Sequence, residues 1–175
     1  RIDFISHSNN LGKSAAIASA LNKVSSEATL MLDADIRDLN PTVVETMIKS
    51  YFDQQASLII YYKYEETGTI ERMVDQLLGA EMLLCGERIV ETKILRELEN
   101  LNSLGYALEV TINQYCIDHH KKIVLFRGPY FYHAIKQKKQ NYTLLSGIIA
   151  NLKMSKEIIN KTSITNYIKQ KQQFI

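Results

Sequence analysis

Asp33 and Asp35, separated by Ala34, are the two residues of this sequence whose types and spacing best suit chemistry. They follow Ala28-Thr29-Leu30-Met31-Leu32, a continuous apolar run of strand length that stops where the acids begin. On extended backbone the side chains of residues i and i+2 share a side. The spacing therefore predicts two carboxylates facing one point, just beyond the carboxyl end of a buried strand. Open α/β sheets bind their ligands at that place. A pair of carboxylates suits a hard divalent cation, Mg²⁺ or Mn²⁺, which commonly takes one or two protein oxygens and completes its shell with substrate phosphates. Such a cation would stabilise negative charge developing on a departing diphosphate. The plainer reading is a polar strand end, with Asp38 and Asn40 capping the next helix; short motifs of this kind also arise by chance.

The surrounding elements favour the chemical reading. Ile2 to Ser6 alternates like a strand, and Asn9 to Lys13 interrupts it. From Ser14 to Val24, apolar residues at 17, 20, 21 and 24 have helical spacing. Asn40-Pro41 is a helix opening, a capping side chain followed by proline in the first turn. Val43, Val44, Met47, Ile48 and Tyr51 line one face of that helix, and Ala56 to Tyr64 reads as the next strand. Alternating strands and helices predict an α/β fold, a mixed but mainly parallel sheet flanked by helices. Helices are further expected over 69–78, 92–101 and 105–119, with a strand over 122–126 closed by Gly128-Pro129.

Composition narrows the class. A chain of 175 residues, 46% of them hydrophobic, fits one domain with a substantial core, and 7 glycines with 2 prolines are too few for a turn-rich all-β protein. Cys85 and Cys116 lack metal-ligand spacing and read as core thiols in a reducing compartment, which points to the cytoplasm. No run approaches the ~20 apolar residues of a membrane-spanning helix. Residues 136–175 hold eight Lys against one acid, so the overall +2 divides into +7 there and −5 before it. A basic helical tail, 141–175, on a body spanning 1–140 suggests peripheral contact with anionic lipid at the inner membrane surface, and the rival reading is a solvated tail. Nucleic acid is not expected as a partner.

Several segments in order carry a family resemblance: Asn10-Leu11-Gly12-Lys13-Ser14-Ala15-Ala16, Leu32-Asp33-Ala34-Asp35-Ile36-Arg37, Leu84-Cys85-Gly86-Glu87-Arg88, Gly105-Tyr106-Ala107-Leu108-Glu109, and Gly128 followed by His133 and Lys136. Together they resemble the family 2 glycosyltransferases of the A-type (GT-A) fold, among them bacterial enzymes of the glucosyl-3-phosphoglycerate synthase and polyprenyl-phosphate sugar synthase kind. The resemblance runs from about Ile5 to Lys139. It implies transfer of a hexose from a UDP- or GDP-sugar to a phosphorylated or lipid-phosphate acceptor.

The same resemblance assigns roles. Gly12 and Lys13 belong to the loop near the donor's diphosphate, where a helix N-terminus and a cation suit phosphate. Asp33, Ala34 and Asp35 form the donor and metal site; Asp35 ligates the metal, Asp33 meets the ribose or the metal's water shell, and His133 completes the metal shell. Gly86-Glu87-Arg88 corresponds to the acceptor loop, with Arg88 holding an acceptor phosphate. Glu109 and Asn113, both assigned to the acceptor side, share a helix stripe with Cys116; Glu109 orients the acceptor hydroxyl or takes its proton, or instead serves as a structural carboxylate paired with Arg88. His119 and His120 read as helix-end cations.

Against the family pattern, the first strand-helix unit is missing, which suggests an N-terminally truncated piece whose open sheet needs the rest of the protein or a second copy, a homodimer. The alternative function is therefore a non-catalytic nucleotide-binding or partner-binding fragment of a glycosyltransferase. A nucleotidyltransferase is a third option; it normally needs a glycine-rich loop near the N-terminus, which this piece cannot show.

Overall fold

The structure, a computed structural model, describes residues 2–64 and 84–129, with Lys156, Asn160, Ser163, Thr165, Asn166, Lys169 and Gln170 of the C-terminal segment. Helix α1 (Lys13–Leu21) begins behind Gly12, whose φ of +85° and ψ of 168° lie in a region that a Cβ closes to other residues. Strand β1 (Ala28–Met31) follows and carries the chain to the acidic pair. Helix α2 (Pro41–Asp53) opens as its sequence predicts, with the Asn40 side chain accepting from the Thr42 amide at 3.0 Å and proline in the first turn. Strand β2 (Leu58–Tyr64) comes next, then β3 (Arg88–Glu91) and α3 (Thr92–Glu97). Two 3-10 turns lead into α4 (Leu108–Asp118), and β4 (Ile123–Pro129) completes the described body.

The strands lie in the order β1-β3-β2-β4. Strand β3 runs antiparallel to both β1 and β2, while β2 and β4 pair in parallel from Leu58↔Ile123 to Tyr64↔Pro129. Three strands therefore share a direction, and β3 is reversed between them. The carboxyl ends of β1, β2 and β4 and the amino end of β3 gather along one margin of the sheet. That topology brings Asp33, Gly86-Glu87-Arg88 and Gly128 to the same side of the molecule.

The central strands are apolar on both faces, as strands between two helical layers must be. Leu58 and Ile60 join Val90, Leu95, Leu108 and Ile112 in one core cluster, whereas Ile59, Tyr61 and Ile89 join Met47 and Tyr51 of α2 in the other. Burial alternates sides along β2, yet every residue from Leu58 to Tyr61 is at most 2% exposed.

Several local expectations change. Ile2 to Ser6 has no ladder partner among the described residues, and Ile2 and Phe4 are exposed, so alternation without a neighbouring strand does not make a strand here. Strand β3 was not expected: Arg88, placed by the resemblance in the acceptor loop, is its first residue. The helix expected over 92–101 ends at Glu97, where Leu98 turns extended and Asn100 takes a left-handed φ of 53°. Strand β4 runs through Gly128 to Pro129 instead of closing before them. The helix expected over 69–78 and most of the 141–175 tail lie outside the described residues.

Asn40 holds the helix that covers one face of the sheet. Asn40→Ala should lower stability by about 1 kcal/mol in urea unfolding, and Asn40→Gly by only a few tenths, because glycine tolerates the cap geometry and solvates the freed amide.

Candidate active site

The sheet margin is assembled from α1, the turn after β1, the loop before β3, and α4. Asp33 lies two residues beyond β1, but the Asp-x-Asp segment is not extended. It forms a turn in which the Ile36 amide donates to the Asp33 carbonyl at 3.4 Å. The same-side argument from i and i+2 spacing therefore does not apply, because a turn rotates successive side chains apart. Both side chains remain partly open, Asp33 at 34% exposure.

Lys13, the first residue of α1, projects its ammonium between two acids. Its Nζ lies 2.6 Å from Asp33 Oδ1 and 2.8 Å from Glu109 Oε1. Glu109 is only 8% exposed in its side chain, whereas Lys13 is 38% exposed. Burial alone would lower the Lys13 pKa, but the charges and hydrogen bonds of Glu109 and Asp33 outweigh it and raise the value above the ordinary lysine range. Next to Lys13, the buried Ser14 hydroxyl accepts from the Gly105 amide at 2.8 Å. Gly105, at φ +57°, turns the chain into α4. Two adjacent residues thus fasten the start of α1 to the start of the helix that bears Glu109.

Gly86 sits against the Asp33 carboxylate so closely that an added Cβ would lie 2.4 Å from Oδ1. The acceptor-loop glycine of the sequence reading is therefore the floor on which the first acid rests. Arg88 is 0% exposed. Its Nε donates to the Cys85 carbonyl at 2.9 Å, and Nη1 donates to the Glu109 carbonyl at 3.3 Å and to Asn113 Oδ1 at 3.2 Å. A further bond joins Nη2 to the Cys85 carbonyl. Burial pulls the Arg88 pKa down, against the opposing charge of Glu109. The guanidinium is thus turned into the protein, where it clamps the loop before β3 onto α4, and not toward an acceptor phosphate. The Glu109 carboxylate pairs with Lys13 and not with Arg88, which meets only its carbonyl.

Glu87 is 5% exposed and accepts from the Cys85 thiol at 3.0 Å. Burial, then the Glu87 charge, pushes the Cys85 thiol up to about 12, and burial pushes Cys116 up to about 12. Both cysteines are free thiols kept protonated. Asn113 and Cys116 are fully buried, and Asn113, expected on the acceptor side, accepts from the buried Arg88 guanidinium. His119 caps α4, stacks on Tyr115 at 4.0 Å and places Nδ1 2.9 Å from the Tyr115 carbonyl.

The sequence reading missed three contributors. Ser14 carried no signal beyond its place beside Lys13. Tyr61 packs on Gly128, where a Cβ would come within 2.6 Å of its hydroxyl, and burial followed by the charges of Cys85 and Glu87 pushes its pKa up to about 12. The backbone of Cys85 serves as acceptor to Arg88, which no side-chain pattern announces.

His133 lies outside the described residues. Among the described residues no cluster of three His, Cys, Asp or Glu is placed to hold a metal ion. Asp33 and Asp35 are oxygen donors of the chemistry a hard cation takes, and Mg²⁺ or Mn²⁺ often needs no more than one or two protein carboxylates when phosphates complete the shell. The donor set fits, with one qualification of geometry: the Lys13 ammonium already occupies Asp33 Oδ1.

This fold matches solved structures. Glucosyl-3-phosphoglycerate synthase from Mycobacterium tuberculosis, solved with Mn²⁺, UDP-glucose and glycerol 3-phosphate, superposes with a TM-score of 0.60 and 18% identity over 91% of this chain and 55% of that one. The same enzyme with Mn²⁺, UDP and glucosyl-3-phosphoglycerate gives the same figures. Without a named ligand it gives a TM-score of 0.57 and 17% identity. The fold is that of a GT-A glycosyltransferase. The chain spans about half the length of these synthase structures, 55% in the first. No protein-family model matches the sequence, and no curated protein matches it. The mixed sheet flanked by helices is thus shared at low sequence identity.

Gly86→Ala should leave the fold nearly intact, because the half-exposed Asp33 side chain can swing outward at about 0.5–1.5 kcal/mol. It should nevertheless weaken the pair with Lys13, since the displaced carboxylate moves away from the ammonium, and lower the melting temperature slightly.

Proposed function

We propose that the protein is a metal-dependent glycosyltransferase that moves a hexose from a nucleoside-diphosphate sugar to a phosphorylated or lipid-phosphate acceptor. The observation that carries this reading is the convergence of Asp33, Lys13 and the buried Glu109 at the sheet margin of a GT-A fold. The M. tuberculosis synthase of that fold was solved with Mn²⁺, UDP-glucose and phosphoglyceric acid, which makes UDP-glucose and phosphoglyceric acid the first donor and acceptor to test.

On this reading Asp35, with Asp33 beside it and His133 beyond, would hold Mg²⁺ or Mn²⁺, and the bound cation would offset charge on the departing diphosphate. The residues of the chain itself do the positioning. Gly12 starts α1 with a backbone conformation open only to glycine, so the helix N-terminus and Lys13 face the same anion. Glu109, largely withdrawn from water, accepts a hydrogen bond from the acceptor hydroxyl. Arg88 fixes the register of α4 against the Gly86 loop through Asn113 and the Glu109 carbonyl.

A second reading is nucleotide binding without transfer. Transfer separates the two. Asp35→Ala should abolish Mn²⁺-dependent UDP binding and reduce hexose transfer from UDP-glucose by at least about a hundredfold, measured by product formation. Binding without any transfer by the unaltered protein, over a panel of UDP- and GDP-sugars, would establish the binding module instead.

The eight Lys of residues 136–175 support peripheral contact with anionic lipid at the inner surface of the membrane. No described helix is long and apolar enough to cross a membrane. Sedimentation with phosphatidylserine liposomes should be strong at low salt and fall steeply by 0.5 M salt; binding indifferent to lipid charge and salt would exclude this contact.

A further inference from the structure

Lys13 does more here than wait for a diphosphate. Its ammonium is shared between Asp33 at 2.6 Å and Glu109 at 2.8 Å, on the donor side and the acceptor side of the same margin. We propose that Lys13 is a cationic latch, occupying the metal's place at Asp33 until a metal-bound nucleoside diphosphate draws it away and uncovers Glu109. The inference rests on the glycosyltransferase reading and extends it to the coupling between the two halves of the site.

Three observations carry it. First, Asp33 Oδ1 cannot serve the lysine and a divalent cation closely at once, because an ammonium within hydrogen-bond reach of a shared oxygen repels the incoming charge. Second, Glu109 is nearly buried, and a buried carboxylate needs a partner to stay charged without a large penalty. In this arrangement Lys13 is that partner, so Glu109 is engaged and not available to an acceptor hydroxyl. Third, the main chain beneath Lys13 is fastened independently, by the buried Ser14 hydroxyl and the Gly105 amide at 2.8 Å. The side chain, 38% exposed, is therefore free to change partners while α1 and α4 stay together.

The chemistry orders the events. A bound diphosphate would bring negative charge to the start of α1, and a cation held by the two aspartates would bring positive charge there. Each draws or pushes the ammonium the same way, off Asp33 and onto the phosphate oxygens. Glu109 loses its cation at that moment and becomes the acceptor for the incoming hydroxyl. Lys13 thus acts as a positioning residue with two successive partners.

The latch gives opposite signs for two binding reactions, which a purely structural lysine would not give. With Lys13→Gln, which keeps a donor for Glu109 but removes the charge, Mn²⁺ alone should bind about fivefold or more tighter than to the unaltered protein, while UDP at saturating Mn²⁺ should bind at least about tenfold more weakly. Free Mn²⁺ is followed by electron paramagnetic resonance and UDP by calorimetry, on the whole protein, with melting curves confirming a folded variant. Lys13→Arg, which retains the cation, should bind Mn²⁺ alone as the unaltered protein does. Ser14→Ala, which loosens the fastening without removing charge, should lower the melting temperature with no gain in Mn²⁺ affinity. Weaker or unchanged Mn²⁺ binding by a folded Lys13→Gln protein overturns the latch and leaves the glycosyltransferase reading standing. If the unaltered protein binds neither Mn²⁺ nor Mn²⁺ with UDP, both fall together.

Discussion

A buried carboxylate needs a cation, and in this protein the need of Glu109 for Lys13 organises the site. Lys13 belongs to the first turn of α1 and Glu109 to the first turn of α4, elements separated by most of the described chain. The ion pair joins them at a position where the turn after β1 delivers a second acid. With one carboxylate withdrawn from water, the ammonium between them is set mainly by Glu109, and Asp33 completes the arrangement from the more solvated side. The hydrogen bond from the Gly105 amide to Ser14 keeps the two helices in register beneath that contact.

A second constraint lies under the first. Gly86 leaves no room for a Cβ beneath the Asp33 carboxylate, and Arg88 two residues later is wholly enclosed by carbonyl and amide oxygens. A buried guanidinium held on several sides is expensive to place and strongly directional once placed. It determines how the loop before β3 meets α4, and through Gly86 it determines where Asp33 can rest. The reversed strand β3 follows from the same geometry: it carries Arg88 to the sheet margin from the opposite direction to its neighbours.

Much of this was legible beforehand. The apolar run before Asp33, the Asn-Pro helix start and the apolar face of α2 are short-range patterns, and local patterns report local structure. Glu109, Asn113 and Cys116 were legible as one stripe because helical spacing places them so. Strand β3 was not, since its four residues open with Arg, and a buried arginine is recognisable only once its partners are known. The alternation of Ile2 to Ser6 misled for the converse reason: a strand is defined by a neighbour, and alternation does not supply one. The turn at Asp33 to Ile36 likewise escaped a spacing argument that presumed extended backbone.

The sequence by itself determined the α/β class, the position of the acids after a strand, the glycine that starts α1, and the helix that bears Glu109. Each depends on residues within a turn or two of one another, where propensity, capping and periodicity operate. Only the tertiary structure decided that Lys13 meets Asp33 and Glu109 together, that Arg88 faces inward, and that Gly86 supports the first acid. Those outcomes depend on burial and on partners distant in the chain, and the desolvation of a charge is a property of everything packed around it.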